Sequence, residues 1–127
     1  MGSIRTFLVD DSPEFLESAA GFLALQPAIQ VVGRACSAQD ALEQVPRLRP
    51  DLVLMDWAMP GMTGLEATRT LKTLPGSPRI IILTIYDIPK YRTEARVAGA
   101  DGFISKPDFV VQLPPLIQHL FSDSAAG

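Results

Sequence analysis

The chain has 127 residues, 47% of them hydrophobic and 20% charged, which fits one globular domain and excludes a disordered or acidic solvating segment. Eleven Lys+Arg against fourteen Asp+Glu leave a net charge of −3, so no basic field for nucleic acid exists. A single cysteine (Cys36) and a single histidine (His119) exclude a disulfide framework and a Cys/His zinc site. No apolar run approaches the ~18–20 residues a membrane span needs, and no signal-peptide core is present. The expectation is a soluble, cytoplasmic domain with no membrane contact. Met1-Gly2-Ser3-Ile4-Arg5-Thr6 fits a loose N-acylation pattern. It runs straight into an apolar strand and is set aside.

Thr6 to Val9 reads as a short strand buried on both faces. Asp10-Asp11-Ser12-Pro13 stops it and starts a helix, with Ser12 as cap and Pro13 at the first helical position. That helix ends by Pro27. Ile29 to Ala35 is a second strand, and Ser37 caps a second helix that Pro46 should kink or end early. Leu52 to Met55 is the third strand. Thr63 and Glu66 form a capping box for a helix from Leu65 to about Leu74. Ile80 to Leu83 is the fourth strand, Asp87 and Pro89 open a fourth helix, and Gly99 closes it. Gly102 to Ser105 is a fifth strand. Apolar residues at 109, 113, 116, 117 and 120 suit a last helix, although Pro114-Pro115 makes its first turn uncertain and favours a start near Leu113. Strands alternating with helices imply a parallel sheet covered on both faces, an α/β fold with no internal repeat or second domain.

In an open parallel sheet, ligands bind at the carboxyl ends of the strands, near the point where the winding reverses. The residues following the apolar runs are Asp10 and Asp11, Asp56, Thr84 and Lys106. Carboxylates gathered in one cleft repel and demand protonation or a cation. Oxygen donors with no His or Cys available point to a hard ion, Mg²⁺ or Mn²⁺. A carboxylate can also be a nucleophile that becomes an aspartyl phosphate. Asp56, alone on its strand, suits that role, whereas the adjacent Asp10 and Asp11 suit metal holding. Thr84 and Lys106 would contact the remaining phosphoryl oxygens. The bland readings are a helix-capping Asp10-Asp11 pair, a solvated Lys106, a small buried Cys36 and a partly exposed His119.

Val9-Asp10-Asp11, Asp56 with Met59-Pro60-Gly61-Met62-x-Gly64, Leu83-Thr84, Ala98-Gly99-Ala100-Asp101-Gly102-Phe103 and Lys106-Pro107 occur in order. Together they resemble the receiver domain of two-component response regulators, similar to receivers attached to helix-turn-helix domains, although Lys-Pro at 106–107 is less typical of those. The resemblance runs from Thr6 to about Phe121, and the expected receiver domain is 1–121, with 122–127 a tail or the start of a linker. It implies a flavodoxin-like (βα)5 fold of strand order 2-1-3-4-5. It implies that Asp56 accepts a phosphoryl group from a histidine kinase or phosphotransfer protein. Asp11, Asp56 and the backbone carbonyl of Ala58 would be direct Mg²⁺ ligands, with Asp10 acting through water. Thr84 and Lys106 would contact the phosphoryl group, Thr84 and Phe103 would act as switch residues, and Lys106–Pro107 would be a cis peptide. Phosphorylation would bias the surface of the fourth helix, fifth strand and fifth helix, and the resemblance leaves room for a homodimer in that state. No direct nucleic-acid binding by the domain is expected.

Four positions depart from the family's usual pattern. Ile85 stands where a small residue is common, Tyr86 follows it, and Ala58 offers no side chain to position an attacking water. These residues are expected to modulate access to Asp56 and to slow small phosphodonors. Phe103 replaces the frequent Tyr. Phosphatases of the haloacid dehalogenase class also use an Asp nucleophile with Mg²⁺, but they need a second Asp where Ala58 stands. Enzymatic turnover of other substrates is therefore not expected. A receiver-fold interaction module working without phosphorylation is the remaining alternative.

Overall fold

A computed structural model describes residues 3–126; Met1 and Gly2 of the acylation pattern, and Gly127, lie outside them. The elements alternate without exception: β1 (Ile4–Val9), α1 (Pro13–Ala24), β2 (Ile29–Ala35), α2 (Ala38–Leu48), β3 (Leu52–Asp56), α3 (Gly64–Leu71), β4 (Arg79–Thr84), α4 (Pro89–Ala98), β5 (Gly102–Ser105) and α5 (Phe109–Ala126). All paired strands are parallel, in the order β2-β1-β3-β4-β5. β3 is therefore central, and the winding reverses between β1 and β3.

Side chains alternate across a strand, so each central strand feeds two cores. Phe7, Val9, Val53, Met55, Ile80 and Ile82 pack on one face against Ala41 and Val45 of α2, Ala67 and Leu71 of α3 and Ala95 of α4. Leu8, Leu52, Leu54, Ile81, Leu83 and Ile104 pack on the other against Leu16 and Leu23 of α1 and Leu113 and Ile117 of α5. That is why the strands read as unbroken apolar runs. Burying side chains of this size contributes about 1.5–3 kcal/mol each.

The helix starts follow the side-chain caps. Ser12 accepts from the Phe15 amide, Ser37 from the Asp40 amide, and Thr63 and Glu66 form the reciprocal box. α4 differs: Ile88 occupies the cap position with no side-chain bond, and Asp87 turns instead to Arg92. Gly99 ends α4 at φ 105, a conformation that a side chain would strain. Asp101, just beyond, accepts from the Ile80 amide and pairs with Lys72 at 2.9 Å, so this part of the motif ties α3, β4 and β5 together.

Several expectations change. Pro46 lies in the last turn of α2, which runs two residues past it to Leu48 and closes at Arg49 with φ 51. α3 ends at Leu71 rather than near Leu74. α5 starts at Phe109 and passes through Pro114 and Pro115 to Ala126, beyond the end expected near Phe121. The carbonyls these prolines leave unbonded belong to Val110 and Val111, both well exposed, where water can serve them. No cis peptide occurs among the described residues, so Lys106–Pro107 is trans. Lys106–Asp108 forms a 3₁₀ turn leading into α5, a helix start that accepts a trans proline. Cys36 is exposed, not buried, because it follows β2 at the sheet edge.

Among the described glycines, Gly64 makes the tightest approach: a Cβ there would collide with the Asp56 carbonyl oxygen. Gly64→Ala should therefore push α3 off β3 and destabilise the protein by about 1–3 kcal/mol. A lower urea midpoint at unchanged slope is the expected reading.

Candidate functional site

The carboxyl edge of the sheet collects what the strand ends deliver. Asp56 is the last residue of β3, Asp10 and Asp11 follow β1, Thr84 ends β4, and Lys106 follows β5. One carboxylate oxygen from each of Asp10, Asp11 and Asp56 lies within 4.8 Å of the others. Asp10 and Asp56 are only 1% and 3% exposed, while Asp11 faces solvent. The Ser12 amide donates to Asp10 Oδ1 at 2.8 Å, so the α1 cap also fixes this carboxylate.

Lys106 is the counter-charge. Its Nζ lies 2.7 Å from Asp10 Oδ2 and 3.2 Å from Asp56 Oδ1. The Asp10 contact is an ion pair off the hydrogen-bonding direction, which leaves the buried Oδ2 without an aligned donor. Burial acts to lower the Lys106 pKa, but the attraction of the Asp10 and Asp56 carboxylates outweighs it, and the net shift is upward. Asp56 moves to about 7, first because burial disfavours its charge and then because Asp10 repels it; Lys106 offsets only part of this. One ammonium does not balance the acidic cluster. Three converging carboxylates facing a single ammonium form an all-oxygen donor set that fits a hard divalent cation.

The remaining sequence-predicted residues surround this cluster. The Thr84 hydroxyl is buried and accepts from the Tyr86 amide at 3.1 Å, so it is engaged with the loop after β4. Ile85 and Tyr86 in that loop are 60% and 61% exposed. Ala58 lies exposed in the loop after β3. Phe103 is half-buried on β5, away from the carboxylates, and His119 is exposed on α5.

Sequence reading missed the contacts of α4. Arg92 forms a two-point bond with Asp87 (2.7 and 3.0 Å), and its guanidinium lies 4.8 Å from the Phe103 ring centroid. Tyr91 packs on Trp57, the residue after Asp56, with centroids 4.9 Å apart. The only available signal was two aromatic–basic neighbours on a short helix, which does not specify either partner. On the other side of the sheet Lys106 Nζ lies 4.7 Å from the Phe15 ring centroid.

The fold is a doubly wound α/β sheet that gathers an acidic cluster at its reversal point. The chain belongs to the response regulator receiver domains, whose family model matches residues 6–118. It is 33% identical over 119 residues to the response regulator GacA of Pseudomonas aeruginosa, covering 94% of this chain and 56% of the relative. It is 38% identical over 103 residues to the transcriptional regulatory protein DesR of Bacillus subtilis, covering 81% and 51%. The crystal structure of a LuxR-family two-component response regulator from Aurantimonas sp. superposes with a TM-score of 0.89 at 31% identity, covering 96% of this chain and 87% of that one. The chain spans about half the length of the GacA and DesR relatives. No described helix is long and apolar enough to cross a membrane.

The upward shift of Asp56 makes a pH prediction. The unfolded carboxyl ionises near 3.8 and the folded one near 7, so between those values the native state keeps a proton the unfolded chain has lost. Stability then falls as pH rises through that window. In metal-free buffer, Asp56→Asn should melt higher than the parent above ~pH 7, with the gap closing toward ~pH 4. Thermal melts at several pH values check this; a gap independent of pH contradicts it.

Proposed function

We propose that the domain is a phosphorylation switch in which Asp56 accepts a phosphoryl group from the phosphohistidine of a histidine kinase or phosphotransfer protein. The observation that carries this reading is the buried Asp56 carboxylate within ion-pair reach of Lys106 and close to two further carboxylates. A carboxylate oxygen of Asp56 forms the new P–O bond as the donor's P–N bond breaks, and the imidazole leaves with the electron pair. Asp11, Asp56 and the Ala58 carbonyl, with Asp10 through water, would hold Mg²⁺ or Mn²⁺, which neutralises phosphoryl charge when bound. Lys106 pairs with a phosphoryl oxygen. Thr84 turns from the Tyr86 amide to donate its hydroxyl proton to another.

That turn frees the loop between Thr84 and Asp87, and Asp87 holds Arg92 over Phe103. Release of the loop would thus reach the surface of α4, β5 and α5 and alter its pairing with an output module or a second copy of the chain. The domain itself turns over no other substrate, binds no nucleic acid directly and works in the cytoplasm. The names of the relatives support control of transcription in a longer protein. A second reading, an interaction module that is never phosphorylated, draws on the exposed apolar Ile85, Tyr86 and Ile88.

Incubation with acetyl phosphate and Mg²⁺ should label Asp56, change Trp57 fluorescence and leave Asp56→Asn unlabelled. Removing the metal with a chelator should abolish labelling. Absence of label with both acetyl phosphate and a phosphorylated donor histidine would leave the interaction module standing. Ile85→Ala should speed both labelling by acetyl phosphate and hydrolysis of the aspartyl phosphate severalfold. Equal rates in the two proteins would remove Ile85 from access control.

A further inference from the structure

The ammonium of Lys106 has three donor directions. Two of its neighbours are Asp10 Oδ2 and Asp56 Oδ1; the third is the face of Phe15, whose centroid lies 4.7 Å away. The Lys106 side chain is only 16% exposed, so the ring stands where water otherwise would. Lysine is a flexible four-carbon stem with a strongly hydrated tip, and its charge does not stay in place unless held. An aromatic face attracts a cation through its quadrupole; an aliphatic side chain of similar size does not.

The ring is itself held from two directions. The Phe15 amide donates to the Ser12 cap at 3.2 Å, and the Ser12 amide donates to Asp10 Oδ1, so the ring and this carboxylate belong to one capped helix start. The Phe15 ring also meets Phe109 edge-to-face at 5.4 Å, and Phe109 meets Phe22 at 5.9 Å. Phe109 follows Lys106 by three residues, across the 3₁₀ turn. Ring and ammonium are therefore fixed by neighbouring parts of the same packed face.

We propose that Phe15 is a positioning residue for Lys106, seating the ammonium on its ring face at the mouth of the carboxylate cluster. This rests on the phosphorylation reading above. Carboxylate contacts are directional and must change as Asp56 becomes a phosphoryl ester. The ring face is not directional, so it keeps the cation in the pocket while its oxygen partners are exchanged. Such preorganisation is worth most where charge develops during transfer.

The test replaces Phe15 with phenylalanines carrying one, two and three ring fluorines, which drain the quadrupole with little change in volume. The logarithm of the Asp56 labelling rate with acetyl phosphate should fall in step with fluorine number, reaching roughly twofold to thirtyfold for the trifluoro ring. Phe15→Leu should be similarly slow and Phe15→Trp should restore the rate. The Mg²⁺ affinity by titration calorimetry should stay unchanged throughout. Equal rates across the fluorine series, or a Phe15→Leu protein as fast as the parent, would overturn the proposal while leaving the phosphorylation reading intact. If the parent protein does not label at all, that reading fails instead. The Phe15 seat is then judged by NMR, where the Lys106 Hε protons should carry an upfield ring-current shift that Phe15→Leu removes; no shift overturns it.

Discussion

Charge held out of water at the sheet edge governs this molecule. Asp10 and Asp56 are almost wholly buried at the ends of adjacent strands, and the single ammonium that reaches both comes from the end of β5. Coulomb attraction in a low-dielectric setting holds Lys106 there, yet it cannot neutralise Asp10, Asp11 and Asp56 together. The unbalanced remainder appears as a carboxylate with raised proton affinity and an oxygen lacking an aligned donor. A cluster in that condition favours a bound proton or an added positive charge.

The sheet distributes the consequences to its two faces. Beneath Lys106, on the α1/α5 face, lies a chain of aromatic rings, Phe15, Phe109 and Phe22, that leads down to an apolar hollow of about 300 Å³ at the amino ends of the strands. On the opposite face, Trp57 meets Tyr91, and Asp87 holds Arg92 against Phe103. Thr84 stands between the cluster and this second set, with its hydroxyl bonded to the loop that carries Asp87. The site thus touches a packed aromatic support on one side and, on the other, a helix seated on Ala95 and Ala98 whose side-chain ties to Asp87 and Phe103 are partly exposed. Exposed contacts of that kind are worth less and break more readily than buried packing.

Much of this was legible beforehand because the signals are local. Ser12, Ser37 and the Thr63–Glu66 box announce their helices through hydrogen bonds that span only three residues. Apolar runs announce buried strands, and the polar residue that ends each run is the one the sheet presents at its edge. Where a local rule failed, solvent or topology had overridden it. Pro114 and Pro115 point to a helix start near Leu113, but their unbonded carbonyl partners sit on an exposed helix face and α5 begins at Phe109. Asp87 was read as a helix opener, yet an arginine five residues on offered a stronger, charged partner. Cys36 was read as buried although it follows an edge strand.

The order of residues by itself determined the alternation of strands and helices, the identity of the acidic and basic groups at the strand ends, and the kind of cation they could attract. Each of those is set by periodicity, capping or side-chain chemistry within a few residues. Only the folded chain decided which aromatic ring meets which charge: Phe15 with Lys106 across 91 positions, Arg92 with Phe103 across a helix and a turn. Such pairs depend on the twist of the sheet and the tilt of the helices packed on it. Those are sums over the whole core, and no short segment encodes them.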